Sequence, residues 1–421
     1  MKNLRIALLG YGTVGKGVHK ILIENKEYFS ERFGMNIDLV AILVKNESKH
    51  KDLLSQDILV TTNMKEILGL KELDVVIEAI VGEEPAFSYV SQCLSNRWSV
   101  ITANKELVAK RGTVLRKLAD DNNVKLFYEA SVGGGIPLIS TIKHSLKANQ
   151  IMGIDAILNG TSNFILSNME NTGCTFEEAL TTAKQIGIAE ADPSNDILGW
   201  DAFYKIMILS ELVYNKQPDW LTSNRVGIDI IKHKDIQLAK ALGLRFKQCA
   251  KLWLTEEDIK VSVEPMLFNE KHPFYSVEGT DNIISISSNL IGKMNLSGPG
   301  AGSLPTASAI IEDLLNIYNN NILDDNGYVN CKSFQNNRIG SNLKEQHLLI
   351  TSNKPLEVIK RSLDKYNMEI LDYDCIYTNN EKYFGYIAAG FHLDNVIENE
   401  DLKLFRIEGG FLRKSKVLQN I

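Results

Sequence analysis

Strand and helix signals that alternate over the first 130 residues predict an α/β protein built on a doubly wound parallel sheet. Three observations predict it. The strands read as continuous apolar runs, as strands covered on both faces do. A glycine cluster, Gly10-Tyr11-Gly12-Thr13-Val14-Gly15, follows the first run directly and opens a stretch of helical spacing. Beyond residue 131 the pattern changes to helices followed by period-two stretches, which predicts an α+β second domain.

In order, apolar runs at 4–9, 37–44, 74–80, 100–103 and 125–130 read as strands, with helices from 13, at 85–96 and at 113–120 between them. Helices follow at 138–146, 161–168 and 175–186. The last opens with Thr175-Phe176-Glu177-Glu178, a capping box in which threonine and glutamate satisfy each other's orphan amides. A long helix is expected over 197–213, period-two strands over 260–265 and 283–288, and a helix over 305–318. The polar, asparagine-rich stretch 320–344 reads as a linker. After it, 347–351, 356–366, 368–377, 383–389, 393–399 and 402–407 read as β-α-β-β-α-β, a ferredoxin-like third domain.

The chain has 421 residues, 44% hydrophobic and 23% charged, which is globular composition with room for two or three domains of about 100–200 residues. A formal charge of −6, from 46 basic and 52 acidic side chains, argues against nucleic acid or an anionic membrane as main partner. No apolar run approaches the roughly 20 residues of a membrane span, and the N-terminus shows no secretory pattern. Five scattered cysteines (Cys93, Cys174, Cys249, Cys331 and Cys375) form no CxxC pair. They fit a reducing compartment and exclude a disulfide framework or a thiolate zinc site. A cytoplasmic location is expected.

The 10–15 segment is G-x-G-x-x-G between strand and helix. Gly10, Gly12 and Gly15 permit the tight turn, close backbone approach to a pyrophosphate and close helix–strand packing, while Thr13 and Val14 open the helix whose N-terminus meets the negative charge. In that context the segment predicts a Rossmann-type dinucleotide site. The end of the second strand reads Val44-Lys45-Asn46-Glu47, lysine first; a basic residue there suits a 2′-phosphate, so NADP(H) is favoured over NAD(H).

The 197–213 stretch is apolar nearly all round, which marks a buried helix. Asp201 and Lys205 share one of its faces at i, i+4. Two charges there are costly unless they pair and are used; a structural ion pair at a domain junction is the plainer alternative. A buried lysine has a lowered pKa, which suits a proton donor to a carbonyl oxygen. Upstream, 189–196 is dense in acid. Asp196 reads as a helix cap, and Glu190 is placed to hold a substrate ammonium group. Thr102-Ala103-Asn104-Lys105 follows a buried strand at its carboxyl end, where open α/β sheets place ligands. The Glu129-Ala130-Ser131-Val132-Gly133-Gly134-Gly135-Ile136-Pro137 segment also follows a strand and offers bare backbone to a phosphate or a cation, or is only a turn.

Together these segments resemble the homoserine dehydrogenase family. The carrying residues are the 10–15 loop, 102–105, 129–137, Leu158-Asn159-Gly160-Thr161-Ser162-Asn163-Phe164, 189–205, and Gly298-Pro299-Gly300-Ala301-Gly302 with Pro305 and Thr306. The resemblance implies NAD(P)H-dependent interconversion of L-aspartate 4-semialdehyde and L-homoserine on the route to threonine, methionine and isoleucine. It implies that Glu190 and Asp201 bind the amino alcohol and that Lys205 donates and accepts the proton. Lys105 lies beside substrate and nicotinamide, and Gly187 and Gly302 line the cofactor. A sodium- or potassium-type cation site falls on Glu129, Val132, Gly134 and Ile136, largely through carbonyls. The implied organisation is a dinucleotide-binding domain over 1–130 completed by a helix near 305–319, a substrate and dimerisation domain over 131–304, and an ACT-like domain over 345–421. A homodimer is implied, with the C-terminal domain available for a tetramer.

The chain departs from the family pattern in places. Val81-Gly82-Glu83 stands where relatives carry a double glycine, bringing bulk and charge to the nicotinamide side. Gly133 replaces a common alanine. Ser352-Asn353-Lys354-Pro355-Leu356 lacks the Asp and Gly of an amino-acid-binding turn, so feedback by threonine is not expected. Of two rival readings, a cysteine-dependent semialdehyde dehydrogenase lacks a cysteine with a histidine near it in sequence, and a non-catalytic nucleotide sensor has no use for a buried Asp201–Lys205 pair.

Overall fold

The computed structural model describes residues 2–53, 58–255, 258–318, 346–365, 367–378, 381–390 and 402–408. Six strands, β1 (Lys2–Leu9), β2 (Met35–Leu43), β3 (Leu59–Thr61), β4 (Val75–Glu78), β5 (Ser99–Thr102) and β6 (Leu126–Phe127), form one parallel sheet in the order β3-β2-β1-β4-β5-β6. The order runs outward in both directions from β1, so the carboxyl ends of β1 and β4 flank the switch point where such sheets bind ligands. Ile6 and Leu8 share a core on one face with Ala307, Ile310 and Leu314 of the Ser303–Tyr318 helix, which follows the second domain in sequence and covers this sheet.

The second sheet contains β7 (Ile151–Ile157), β8 (Asn224–Arg225), β9 (Leu244–Leu254), β10 (Ile259–Asn269), β11 (Asp281–Ser288), β12 (Gly292–Pro299), β13 (Gln346–Ser352), β14 (Glu369–Thr378), β15 (Glu381–Gly390) and β16 (Lys403–Glu408). Its order is β12-β11-β7-β9-β10-β16-β13-β15-β14, with β8 paired on β10. The C-terminal strands therefore prolong the second domain's sheet: Leu267 and Phe268 pair in parallel with Ile407 and Glu408. The linker expected over 320–344 and the second helix expected over 393–399 lie outside the described residues.

Several elements differ from the sequence reading. The helix expected over 197–213 is two: Ser194–Ile197 and Trp200–Tyr214, broken at Gly199, whose φ of 79° turns the chain between them. Asp196 lies inside the first of these and is not its cap. The 138–146 helix is one short turn, Leu138–Ser140, followed by a wider π-type turn, Thr141–Ser145. The helix expected over 113–120 begins much earlier and runs Lys105–Asp121, with Asn104 accepting from the Leu107 amide as its N-cap. The Gly160–Thr172 helix runs to a left-handed Gly173. The Thr175–Glu178 capping box is present as read. The expected 125–130 strand keeps only Leu126–Phe127 before turning.

Candidate active site

The glycine loop leaves β1 at the switch point. Gly10 has φ 98°, and a Cβ on it would stand 2.6 Å from the Ala79 carbonyl oxygen; one on Gly15 would stand 2.3 Å from that of Gly10. Both positions therefore demand glycine. A Cβ on Gly12 would meet nothing within 4 Å, and Gly12 caps the Thr13–Glu24 helix with no side chain of its own. An open approach onto uncapped helix amides is what a dinucleotide pyrophosphate needs. Ser303 Oγ donates to the Thr13 carbonyl at 2.8 Å, which brings Gly302 (φ 119°) and the start of the Ser303–Tyr318 helix to the Thr13–Val14 edge of the loop. At the end of β2, Lys45 is exposed, while Glu47 is turned away to accept from the Thr62 amide at 2.9 Å.

In the second domain, Asp201 is buried and holds an ammonium group on each oxygen. Its Oδ1 lies 2.7 Å from Lys105 Nζ, at the start of the Lys105–Asp121 helix, and its Oδ2 lies 2.8 Å from Lys205 Nζ, one turn along its own helix. Lys205 Nζ also donates to the Leu158 carbonyl at 2.7 Å. Burial pushes the Asp201 carboxyl up, but the two lysines overcome it and hold the group well below the usual carboxylate range. Burial pulls the Lys205 ammonium below its ordinary value; Asp201 opposes this and the Lys105 charge adds to it. Lys105 goes the other way, raised chiefly by the Asp201 charge beside it.

The arrangement is a triad, not a pair: Lys105 adds a second ammonium from another helix, and its side chain remains 43% exposed. Sequence reasoning missed two of its supports. Asn159 Nδ2 donates to Asp201 Oδ2 at 2.9 Å and to Asp196 Oδ1 at 2.7 Å, while its Oδ1 accepts from the Ser162 amide. The Leu158 carbonyl fixes Lys205. Only the turn between β7 and the next helix brings them in, and a backbone acceptor leaves no mark in sequence.

Glu190 is exposed on the loop before the Ser194–Ile197 helix, and its charge reaches Lys105. Gly187, at φ 76°, is exposed with open space around it. Glu83 pairs with Arg111 Nε at 2.6 Å and Lys110 Nζ at 3.3 Å, so its charge is neutralised on the flank of the Lys105–Asp121 helix; Val81 stands in solvent, 84% exposed.

Glu129, Val132, Gly134 and Ile136 are all buried in one tight turn. The Glu129 carboxylate accepts from the Ile139 amide at 2.7 Å and the Ser140 amide at 2.6 Å, and Gly134 (φ 60°) packs under the Gly300 carbonyl. The Ile136 and Glu129 carbonyls accept amides too, from Leu138 at 2.8 Å and Val132 at 3.5 Å, so the turn largely satisfies its own polar groups. Among the described residues no cluster of three His, Cys, Asp or Glu side chains is placed to hold a metal, and no helix is long and apolar enough to cross a membrane.

Residues 10–129 match the family model described as homoserine dehydrogenase, NAD binding domain, and residues 137–315 that described as homoserine dehydrogenase. The chain is 36% identical over 321 residues to the homoserine dehydrogenase of Lactococcus lactis, covering 75% of this chain and 74% of that one. It is similar to the solved homoserine dehydrogenase from Thiobacillus denitrificans with TM-score 0.84 at 31% identity, over 97% of this chain and 98% of that one. It is also similar to a hyperthermophilic archaeal homoserine dehydrogenase in complex with NADPH, with TM-score 0.65 at 28% identity, over 75% of this chain and 98% of that one. A dinucleotide loop at the carboxyl end of β1 and a carboxylate flanked by lysines, one of them at the carboxyl end of β5 in the same sheet, with relatives matching over both domains, place this chain in the homoserine dehydrogenase family, NAD(P)-dependent oxidoreductases of amino-acid biosynthesis that act on a CH–OH group.

Proposed function

We propose that in the interconversion of L-aspartate 4-semialdehyde and L-homoserine Lys205 carries the proton, Lys105 stabilises the developing charge, and Glu190 and Asp201 hold the amino alcohol. The observation behind this is the Asp201 carboxylate with one lysine on each oxygen. The bound nicotinamide supplies or takes the hydride at the reacting carbon. Lys205, its proton affinity lowered by burial, gives a proton to the alkoxide oxygen that forms in reduction and takes it back in oxidation. Lys105, raised and half-exposed, stays charged through both directions and faces the oxyanion electrostatically. Asp201 keeps both ammonium groups in place as one of them loses its proton.

NADP(H) is favoured over NAD(H). Lys45 is the charge left at the end of β2 once Glu47 is spent on a backbone amide, and the archaeal relative was solved with NADPH. A sodium or potassium ion on the carbonyls of Glu129, Val132, Gly134 and Ile136 would stiffen the turn that packs under Gly300. The spatial order β16-β13-β15-β14 of the C-terminal strands supports reading them as part of an ACT-like unit. Homodimerisation through the second domain is supported by β12, an edge strand, and by Leu290 and Ile291 beside it, 68% and 51% exposed. The test is absorbance of reduced nicotinamide with L-homoserine, run with NADP and NAD in parallel and with and without sodium or potassium. Higher kcat/KM with NADP and activation by a monovalent ion are expected; a clear preference for NAD, or indifference to the ions, would contradict the respective proposal.

A further inference from the structure

Glu78 is a buried carboxylate that the reaction scheme above does not use. It ends β4 at the switch point, paired with Leu9 of β1 on one side and Thr102 of β5 on the other, so it sits between the start of the glycine loop and the turn that delivers Lys105. It has no exposed surface. Its Oε1 accepts from the Ile80 amide at 2.6 Å and its Oε2 from Thr102 Oγ1 at 2.5 Å. Thr102 Oγ1 in turn accepts from the Asn104 amide at 3.0 Å, and Asn104 caps the Lys105–Asp121 helix while its Nδ2 donates to the Gly82 carbonyl at 2.7 Å. One carboxylate thus anchors both the 80–82 loop and the residue next to Lys105.

These partners are neutral. Among the described residues Cys93, from the Ala86–Ser95 helix, feels the Glu78 charge, and burial pushes its thiol up to about 12 and so keeps it uncharged. A turn held only for structure would use a neutral acceptor, because enclosing a carboxylate without a cation is costly. The charge has a geometric use, however. Ionised, Glu78 is acceptor-only, so the Thr102 hydroxyl must donate to it, which leaves the Thr102 lone pairs for the Asn104 amide. Protonated, it becomes a donor toward the same hydroxyl, and the Thr102 proton loses its acceptor.

We propose that Glu78 is a positioning residue for the dehydrogenase reaction: through Thr102 and Asn104 its ionised carboxylate fixes the start of the Lys105–Asp121 helix and so holds the Lys105 ammonium on Asp201. The proposal rests on the role given to Lys105 above. Burial raises the Glu78 carboxyl to about 7, so the relay is expected to reverse near neutral pH. Glu78→Gln presents a donor to Thr102 and reproduces the protonated arrangement at every pH.

The test compares the full-length wild type with Glu78→Gln, Thr102→Val, the double variant and Lys105→Met, reading kcat, KM and thermal stability across pH 6–9. Glu78→Gln is expected to lower kcat by roughly ten- to a hundredfold, the cost of a displaced catalytic group, with cofactor KM changed far less. The near-neutral step in the wild-type kcat profile should vanish in the variant. Thermal stability at pH 8 should be kept or gained, because the wild type bears the cost of an ionised buried carboxyl there and the amide does not. The double variant should lose little more than either single one. Wild-type kcat with an unchanged profile in Glu78→Gln would overturn the proposal, as would loss of stability at pH 8 with kcat unaffected. A normal kcat in Lys105→Met would instead overturn the role of Lys105. If Glu78→Gln fails to fold, Thr102→Val carries the same kcat and pH readout.

Discussion

Lys205 and Lys105 share one carboxylate but sit in different solvent: the Lys205 side chain is 9% exposed and that of Lys105 43%. That difference separates their roles, because a desolvated ammonium gives up its proton more readily than one at the crevice surface. Lys205→Met is expected to cost roughly 10²–10⁴ in kcat, the usual worth of a positioned general acid, with cofactor affinity retained in a fluorescence titration. Lys105→Met carries a sign as well as a size. Removing its positive charge relieves the repulsion that helps lower Lys205, so the Lys205 pKa is expected to rise. Homoserine oxidation needs Lys205 neutral, so the pH at which its rate is half-maximal should move upward; a downward move in the pH–rate profile would contradict the assignment. At this scale the sequence was readable where chemistry broke a local pattern. Two charges at i, i+4 in an apolar helix mark Asp201 and Lys205 without any fold. Asn159 and Glu78 break nothing locally; their neighbours come from other strands.

The two helices that carry the lysines are tied a second time, away from the crevice. Glu211, on the Trp200–Tyr214 helix, accepts from Thr113 and Arg116 of the Lys105–Asp121 helix and from Gln217 Nε2 at 2.9 Å. The Lys105–Asp201 contact is toward one end of this helix pair and the Arg116–Glu211 contact toward the other, so the two helices are clamped at both. Glu211 and Arg116 are 6% and 15% exposed at the side chain. Glu211→Ala is therefore expected to cost about 3–5 kcal/mol in denaturant unfolding, the loss typical of breaking a buried pair from one side, and to lower kcat along with it. A change below about 1 kcal/mol would mean that the pair is solvent-screened and does not clamp the helices. Elements with punctuation were legible: the glycine loop, the capping box at Thr175, the return helix after residue 302. The break at Gly199 was missed because the apolar run continues through it, and its reason is tertiary. A Cβ there would meet Gln248 Nε2 at 3.1 Å and Val263 Cγ1 at 3.2 Å. β12 was missed because Gly292, Gly298 and Pro299 read as turn.

At the scale of the molecule, the described strands fall into two sheets. The C-terminal strands join the substrate domain's sheet through β16, and polar contacts reinforce the join. Lys251 Nζ binds Glu408 at 2.7 Å and lies 3.6 Å from Asp155. Asp235, fully buried at the start of the His233–Ala241 helix, accepts from Tyr383 at 2.9 Å, Thr351 at 3.2 Å and Lys403 at 3.0 Å. Leu349, Ile387, Phe405 and Ile407 share a core with Ile165, Leu166 and Met169 of the Gly160–Thr172 helix, whose first turn holds Asn159 against Asp201. Asp235→Ala is expected to cost about 1.5–3 kcal/mol, the range of a hydrogen bond to a charged group, seen in calorimetry as a lower Tm for the joined substrate and C-terminal units. A C-terminal unit that melts alone in the wild type would contradict this continuity. Strand pairing between β10 and β16 joins segments far apart in sequence, and no local pattern announces such a partner; each strand was readable, their union was not.

The measurement that bears most directly on the account is homoserine-dependent reduction of NADP, followed at the reduced-nicotinamide band as a function of pH, in the wild type and in Lys205→Met. The wild-type rate is expected to rise with pH through a group titrating below an ordinary lysine, and the variant to lose that limb together with most of the turnover while the cofactor still binds. Near-wild-type turnover with the same pH limb in Lys205→Met would contradict it.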